Sequence, residues 1–237
     1  MENDSKRQKD RSVINSVICI LLTKLMEQDI AILIADLSGY TALTETHGSS
    51  TAADMIDKFL DIVNDCLVGE SKLHQCVGDE VLIISPSVEH LANTAVMLIQ
   101  NCSKEHNFLQ VHGGLHHGKI LKRNNNYFGA AINLTSRIAA KANKGTFWCS
   151  NTFVNALPDK SRFTFCSQGM HSFKNVSEEN EVHELIIENT NPFHIDPVCR
   201  MLIHKKESAV QHPEENIFFC SDNCRDIYLS GARIQQH

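Results

Sequence analysis

The stretch Ile30-Ala-Ile-Leu-Ile-Ala-Asp-Leu-Ser-Gly-Tyr-Thr41 decides the predicted fold, because it joins a buried strand to the start of a helix. Its continuous apolar run predicts a strand covered on both faces of a sheet. The run ends at Asp36, so a carboxylate lies at the tip of that strand. Gly39 then leads into a helix starting near Thr41, and backbone amides at such a helix start can bind an anion. Asp36 is either a cap for this helix or a metal ligand, and both interpretations stay open at this point.

The composition is that of a globular, soluble protein with one medium domain and a second, small one. The chain has 237 residues, of which 42% are hydrophobic and 21% charged. Its net charge of -6 argues against nucleic-acid binding, which needs a basic face. Nine cysteines, an odd number, without a secretory signal predict reduced thiols and a cytoplasmic location.

Residues 1–27 are predicted to form an N-terminal extension or helix. Its basic start precedes an apolar run from Val13 to Leu22, but no small-residue cleavage site follows. The run is also too short to span a bilayer, so we expect no membrane span. A helix that packs on the domain or on a partner subunit is the favoured interpretation, with a dispensable extension as the alternative.

Helical and strand patterns then alternate irregularly. The predicted helices are Thr51–Val68, Val88–Cys102 and Ala130–Ala142. The predicted strands are a pair within Lys72–Ser85, then Leu109–His116, Gly118–Leu121, Thr146–Cys149, Arg162–Cys166 and Val182–Ile187. Because strands follow one another directly in places, we expect an α+β fold with a mostly antiparallel sheet flanked by helices.

A second carboxylate, Asp79, resembles Asp36 in its position at a strand end beside a glycine. Two converging carboxylates could hold two divalent ions about 3.5–4 Å apart. Hard cations such as Mg²⁺ or Mn²⁺ prefer these oxygen ligands. Taken singly, each aspartate is also a common turn residue.

Asn133 and Arg137 are four residues apart in a predicted helix and therefore share one face of it. An amide and a guanidinium projecting together suit a sugar oxygen and a phosphoryl group in transfer. The alternative is an ordinary polar helix face.

Together these segments resemble the class III nucleotidyl cyclases over roughly residues 28–188. The resemblance is carried by Asp36-Leu-Ser-Gly-Tyr-Thr41, Val77-Gly-Asp79, Gly114-Leu-His-His-Gly118 and Tyr127-Phe-Gly129 with the helix that follows. Each motif is weak by itself, but their order and spacing are specific. The resemblance implies a ferredoxin-like cyclase homology domain.

The resemblance also implies a reaction, the conversion of ATP or GTP to the 3′,5′-cyclic monophosphate and pyrophosphate. The implied site residues are Asp36, Asp79 and the carbonyl of Leu37 for two Mg²⁺ or Mn²⁺ ions, Gly39, Tyr40 and Thr41 for the leaving phosphates, and Asn133 and Arg137 for the transition state. In this family the aspartates and the Asn/Arg pair come from different subunits. A head-to-tail homodimer with two equivalent sites is therefore expected.

Two positions depart from the family pattern at the purine-binding end. Gln75 stands where the adenine-selecting lysine is usual, and Asn126 stands where its acidic or threonine partner is usual. Both amides can serve adenine, but amides can flip and serve guanine. We expect weak base discrimination with ATP modestly favoured. A weak or inactive homologue that acts as a nucleotide- or metal-binding sensor is the alternative. Lys174 is a candidate for the pyrophosphate, although an exposed strand-end lysine is the simpler interpretation.

Residues 189–237 are predicted to be a linker and a small cysteine-rich module that resembles the YHS domain. Cys199, Cys220 and Cys224 lie in a segment too short to bury much core, so a stabilising cross-link is expected. In a reducing compartment a metal is favoured over a disulfide, and three thiolates suit Zn²⁺ or Cu⁺.

Two features of this module stay open in the sequence. The fourth ligand could be His194, His204 or His212, and Arg200 replaces the usual glycine of the motif. A small core packed without metal is the alternative. If metal is bound, we expect it to change how the module docks and so to shift the geometry of the dimer.

Overall fold

The computed structural model describes residues 27–176, 178–187, 193–204 and 206–231. The predicted N-terminal helix, apart from Glu27, lies outside the described residues, as do residue 188 and residues 189–192 of the predicted linker. Among the residues described, no helix combines the length and the apolar character that crossing a membrane requires.

The elements come in a mixed order along the chain. The strands are β1 Glu27–Ser38, β2 Lys72–Val77, β3 Glu80–Ser85, β4 Gln110–Arg123, β5 Asn126–Phe128, β6 Phe147–Ser150, β7 Thr164–His171, β8 Asn180–Ile186, β9 His194–Ile195, β10 Leu202–Ile203, β11 Val210–Gln211 and β12 Phe218–Phe219. The helices are α1 Tyr40–Cys66, α2 Val88–Cys102, α3 Ala130–Lys141, α4 Asn151–Ala156 and α5 Asp222–Leu229.

One large sheet organises the molecule, with the strand order β2-β3-β1-β4-β6-β8-β7 and β5 paired to β4. The pairing of β4 with β6 is parallel, and the other pairings in this sheet are antiparallel. The predicted α+β fold with a mostly antiparallel sheet flanked by helices is therefore confirmed.

Helices cover both faces of the sheet, and this explains the continuous apolar run in β1. Ala31, Leu33 and Ala35 belong to the apolar cluster that includes α1 and α2. Ile32 and Ile34 belong to a second cluster on the opposite face, which α3 covers. Alternate residues of a strand point to opposite faces, so a strand buried on both sides needs apolar residues at every position.

The strand β4 runs continuously where the sequence predicted two strands, and that prediction was wrong. Gly118 does not interrupt it, because this residue stays paired with Ile30 of β1. The same strand fixes the position of α3. A Cβ atom at Gly114 would lie 2.6 Å from the backbone nitrogen of Ala139 and 2.6 Å from the carbonyl oxygen of Thr135. The helix can therefore lie this close to the sheet only because residue 114 is a glycine.

The C-terminal residues pack against the sheet domain and share its core. Val198, Cys199 and Phe219 belong to the same apolar cluster as α1 and α2. The Leu202 amide donates to the Phe108 carbonyl at 2.7 Å, and the Asn107 amide donates to the Leu202 carbonyl at 2.9 Å. We call residues 193–231, without residue 205, the C-terminal module.

Candidate active site and candidate metal centre

Asp36 lies at the end of β1 on the face that α3 covers. It continues the series Ile30, Ile32, Ile34, which faces α3. The side chain of Leu37, on the other face, is buried, and its backbone amide donates to the Asp36 carboxyl. The strand thus holds the carboxyl in place by register and by a backbone hydrogen bond.

The side chains of Asp36 and Asp79 meet, as the sequence predicted for a two-carboxylate site. Their carboxyl groups are hydrogen-bonded to one another. Burial raises the pKa of Asp36. Burial and the neighbouring charge of Asp36 raise the pKa of Asp79 to about 7. Two carboxyls this close can share one proton, which relieves their mutual repulsion.

This carboxyl pair fits a divalent cation. The Oδ1 atom of Asp36 is buried and has no hydrogen-bond partner in the described part of the chain. A buried acceptor without a donor is unfavourable, and a cation would satisfy it. The oxygen-only donor set of Asp36 and Asp79 is the type that Mg²⁺ and Mn²⁺ prefer.

The helix start beside this pair is open to an anion. Gly39 is the residue before α1 and adopts a left-handed conformation with φ 96°. No side chain caps this helix start within the described residues, and its first turn carries no acidic residue. Asp36 is therefore not the cap of α1. The positive end of the helix dipole and the first backbone amides, at Tyr40 and Thr41, remain available to a phosphate.

Asn133 and Arg137 lie on α3, which covers the same face of the sheet, but their side chains are exposed. Within the described residues, no hydrogen bond or ion pair joins either side chain to Asp36 or Asp79. A single chain therefore brings the two carboxylates together and leaves the amide–guanidinium pair on the surface.

Gln75 and Asn126 are both exposed, on β2 and β5 respectively, and no hydrogen bond joins them in the described chain. Their neighbours His74 and Tyr127 are in contact, with ring centroids 4.7 Å apart in an edge-on arrangement. The two strands that carry the predicted purine-selecting residues thus approach one another. Lys174 lies in an exposed turn after β7.

His112 is a neighbour of the carboxyl pair that the sequence patterns did not single out. It pairs with Asp36 across β1 and β4, and its Nδ1 atom lies 2.9 Å from the Ser38 hydroxyl oxygen. Burial lowers the pKa of His112, which favours the neutral imidazole. The sequence could have indicated His112, because it lies two residues before the Gly114 motif in a strand predicted to belong to the same sheet.

The three predicted metal-binding cysteines do come together. The Sγ atoms of Cys199 and Cys220 are 3.4 Å apart, and those of Cys220 and Cys224 are 3.6 Å apart. Cys199 and Cys224 are fully buried. Hydrogen bonds from the Cys199 and Cys220 thiols lower the pKa of Cys224, so a thiolate is favoured there.

The imidazole beside these thiols belongs to His47, not to any of the three predicted histidines. Its Nε2 atom lies 3.5 Å from Cys220 Sγ and 3.5 Å from Cys224 Sγ. The four ligand atoms all lie within 4.8 Å of one another. His47 precedes Cys220 by 173 positions, so sequence spacing offered no signal for it.

The three predicted histidines have other contacts. The His194 ring lies 4.6 Å from the Phe218 ring. The His204 Nε2 atom hydrogen-bonds with the carbonyl of Ser103. The Nδ1 atom of His212 accepts from the amides of residues 214 and 215 at 3.1 and 3.0 Å. None of the three belongs to the thiol cluster among the described residues.

Asp196 organises the loops that carry the cysteines. Its carboxylate is fully buried and accepts from the amides of Val198 at 2.8 Å, Cys199 at 3.2 Å and Cys220 at 2.7 Å. One side chain therefore ties the first cysteine loop to the second. Burial raises the pKa of Asp196, while these three hydrogen bonds act in the opposite direction.

Arg200 adopts a left-handed backbone conformation, which glycine takes most easily. Its φ of 69° lies in the left-handed region, which costs a non-glycine residue roughly 1–2 kcal/mol. A Cβ atom on Gly39 would lie 2.6 Å from both Cβ and Cγ of Arg200. The Arg200 Nε atom is buried without a hydrogen-bond partner in the described chain. The C-terminal module therefore places a strained arginine, with this Nε unsatisfied, directly on the turn that begins α1.

The sheet domain has known relatives. Residues 23–188 match the family described as the adenylate and guanylate cyclase catalytic domain. An uncharacterized protein of Mycobacterium tuberculosis is 34% identical over 126 residues, which are 53% of this chain and 33% of that protein. An adenylate cyclase of Glutamicibacter nicotianae is 28% identical over 138 residues, which are 56% of this chain and 34% of that enzyme.

The chain spans about a third of the length of these curated relatives. A solved structure of adenylate cyclases from Trypanosoma brucei in their monomeric state has a TM-score of 0.60 at 16% identity. That likeness covers 67% of this chain and 88% of the other, and at this identity it shows the fold alone. Fold and family agree, and the chain belongs to the adenylate and guanylate cyclase catalytic domain family.

Proposed function

We propose that this protein is a purine nucleotide cyclase that converts ATP, or GTP, to the 3′,5′-cyclic monophosphate and pyrophosphate. The observation that carries the proposal is the meeting of Asp36 and Asp79 beside the uncapped start of α1. An oxygen site for divalent cations next to an anion-binding helix start suits a nucleoside triphosphate with its metal ions.

The proposed site has one group of residues for the metal ions and another for the phosphates. Asp36, Asp79 and the backbone carbonyl of Leu37 would hold two Mg²⁺ or Mn²⁺ ions. When bound, these ions activate the ribose 3′-hydroxyl and neutralise charge on the departing pyrophosphate. The amides of Gly39, Tyr40 and Thr41 would bind the leaving phosphates at the start of α1.

The transition state is served by α3. The Arg137 guanidinium would stabilise the charge on the α-phosphoryl group, and the Asn133 amide would orient the ribose. Both side chains are exposed in a single chain, which suits residues that act in the site of a partner subunit. Two large apolar side chains beside the site motifs, Val77 at 60% and Phe128 at 52% exposure, suit burial in the same homodimer.

Mixing two inactive variants tests both the active site and its division between subunits. Asp36→Ala and Arg137→Ala should each lose cyclase activity with ATP and Mn²⁺. In an equal mixture about half of the dimers are mixed, and each mixed dimer has one intact site. The mixture should therefore recover about a quarter of wild-type activity per chain. Arg123→Ala, which removes an exposed arginine from the β4 end, is the matched control and should stay active.

Three outcomes of this experiment have clear meanings. No recovery on mixing, with dimers present, would contradict the shared site. Activity retained in both single variants would contradict the site altogether. If the retained activity separates from the protein on further purification, it comes from a contaminating cyclase and the variants must be measured again without it.

The choice of purine is proposed to depend on Gln75 and Asn126. Both are amides, and each can present a donor or an acceptor, so weak discrimination with a modest preference for ATP is expected. Gln75→Lys introduces a side chain that can only donate. It should increase the ratio of kcat/KM for ATP over GTP by about tenfold, the effect of roughly one well-placed hydrogen bond. An unchanged ratio would remove Gln75 from the purine site.

A second candidate is a cyclase homologue that binds a nucleotide or a metal as a sensor, without turnover. The two amides at the purine-binding end favour it, because they depart from the pattern of the family. Nucleotide binding by calorimetry with no cyclic product in the presence of Mn²⁺ would support this candidate over the enzyme.

The C-terminal module is proposed to bind a soft or borderline metal, Zn²⁺ or Cu⁺, through Cys199, Cys220 and Cys224, and to make the cyclase responsive to that metal. The support is the convergence of three thiols in a short segment. Cyclase rates with and without added metal, in wild type and in the double variant Cys220→Ser/Cys224→Ser, test the response. Equal rates in every case would contradict it.

A further inference from the structure

The thiol cluster has the dimensions of a tetrahedral metal site only when His47 is included. A Zn–S bond of about 2.3 Å sets the sulfur–sulfur edges of a tetrahedron at about 3.8 Å, and a Zn–N bond of about 2.0–2.1 Å sets its nitrogen–sulfur edges at about 3.6 Å. The Sγ atom of Cys220 lies 3.4 Å from that of Cys199 and 3.6 Å from that of Cys224, and the His47 Nε2 atom lies 3.5 Å from both Cys220 and Cys224. The two remaining edges, from Cys199 to Cys224 and to His47, are no longer than 4.8 Å. Four of the six donor–donor edges are thus close to the tetrahedral values, and all four donors are near enough to share one ion.

The four donors come from two different parts of the molecule. Cys199, Cys220 and Cys224 belong to the C-terminal module, whereas His47 is in α1 of the cyclase domain. A second contact supports this junction, since the Asn223 side-chain amide donates to the carbonyl of Thr46 at 3.5 Å. The ligand set therefore bridges the module and the cyclase domain.

We propose that His47 is the fourth ligand of a Zn²⁺ site that fastens the C-terminal module to helix α1. This inference rests on the proposed soft-metal role of the module and does not depend on nucleotide turnover. Three thiolates and one imidazole in a tetrahedral arrangement favour Zn²⁺ over Cu⁺, because Zn²⁺ takes four such donors. Asp196 prepares the site by holding both cysteine loops through three amides.

A metal bound by His47 would also constrain a helical segment that begins at the proposed nucleotide site. His47 is the last residue before Gly48, which interrupts the helical conformation of α1 with φ 81° and ψ 168°. The helical segment Tyr40–His47 has eight residues and is about 12 Å long. The metal would hold one end of this segment, and Arg200 lies against Gly39 at the other end. The module would thus be attached to both ends of this segment: through the metal at His47, and through Arg200 at the turn that is proposed to bind phosphate.

Cobalt binding by the full-length, reduced protein tests the ligand set directly, because tetrahedral Co²⁺ has visible bands and a thiolate charge-transfer band. Wild type should bind one Co²⁺ per chain with a tetrahedral spectrum that Zn²⁺ abolishes by displacement. His47→Ala should weaken binding at least about tenfold and change the d–d bands. His47→Cys should restore a tetrahedral site with stronger charge transfer. His212→Ala, a histidine of the module outside the cluster, is the matched control and should behave as wild type.

Hydrogen exchange tests separately whether metal binding stabilises the contact between the C-terminal module and the cyclase domain. Zn²⁺ should slow exchange at the amides of Leu202 and Asn107, which pair the module with the cyclase domain, in wild type and in His47→Cys. In His47→Ala the same addition should protect the module less. His47→Cys keeps the test decisive if His47→Ala proves poorly folded, because a rescued spectrum requires position 47 to reach the metal.

Several results would overturn the proposal. Equal affinity and an unchanged spectrum in His47→Ala would show that the module binds metal alone. Tight Cu⁺ binding that the His47 variants do not affect would have the same meaning. Failure of wild type to bind any metal, or a Cys199–Cys220 disulfide in its place, would remove the proposed soft-metal role as well. If the wild type shows no cyclase activity but the cobalt experiments give the expected results, the Zn²⁺ site is supported and only the proposed enzyme activity is contradicted.

Discussion

Replacing Gly39 with alanine tests whether the C-terminal module really rests on the turn that begins α1. The substitution acts through two separable effects. At φ 96° an L side chain is disfavoured by roughly 1–2 kcal/mol. The new Cβ would also lie 2.6 Å from Cβ and Cγ of Arg200, and relieving such overpacking costs roughly 1–3 kcal/mol. We therefore expect Gly39→Ala to lower the free energy of unfolding by about 2–5 kcal/mol in total.

The double variant separates the two effects. Arg200→Gly removes the atoms that a Cβ on Gly39 would meet, so in that background only the backbone strain remains. Gly39→Ala should then cost only about 1–2 kcal/mol, and the coupling between the two positions should be about 1–3 kcal/mol. Arg200→Gly by itself gains from the removal of strain at φ 69° and loses the packing of the arginine stem, so its own effect should be small.

Urea unfolding followed by circular dichroism is a suitable assay, with all four proteins measured at the same concentration of reductant. Gly169→Ala is a matched control for the backbone effect, since Gly169 has φ 86° and an alanine Cβ there would meet nothing within 4 Å in the described chain. It should cost about the same as Gly39→Ala does in the Arg200→Gly background. Equal costs of Gly39→Ala with and without Arg200 would refute the contact between the module and the turn.

Further predictions concern the carboxyl pair, the cysteine loops and α3. Because the pKa of Asp79 is raised to about 7, its protonated form competes with cations, and Mn²⁺ affinity measured by calorimetry should fall about tenfold per pH unit below 7. In the metal-free protein, the raised pKa of Asp79 contributes its full stabilisation below pH 3.8, the pKa of the unfolded state, and progressively less as the pH rises to 7. The thermal unfolding midpoint of the metal-free protein should therefore fall between pH 3.8 and 7. Asp196→Asn replaces one acceptor oxygen with a donor and should cost about 1–3 kcal/mol and lower Zn²⁺ affinity about 10–100-fold, whereas Asp226→Asn on the exposed side of α5 should do neither. Gly114→Ala should push α3 off β4 and reduce cyclase activity, with a loss of stability of about 1–3 kcal/mol by denaturant unfolding.

The local chemistry of the site could be predicted from short stretches of sequence. The apolar run of β1 indicated burial on both faces, and the residues after Asp36 indicated a helix start. Asp79 was predicted beside a turn between two strands, where it lies. These predictions succeeded because strand burial, turn formation and helix initiation depend on neighbouring residues. The continuity of β4 through Gly118 was missed, because pairing with β1 overrides the local preference of a glycine.

The sequence by itself determined which groups could act: two carboxylates, an amide–guanidinium pair on one helix face, and three thiols in a short module. Only the tertiary structure decided which of them meet. It joined Asp36 to Asp79, brought His47 to the thiols across 173 positions, and set Arg200 on Gly39. The physical reason is that contacts between distant segments depend on how helices and loops pack against the sheet, and spacing along the chain carries no record of that packing.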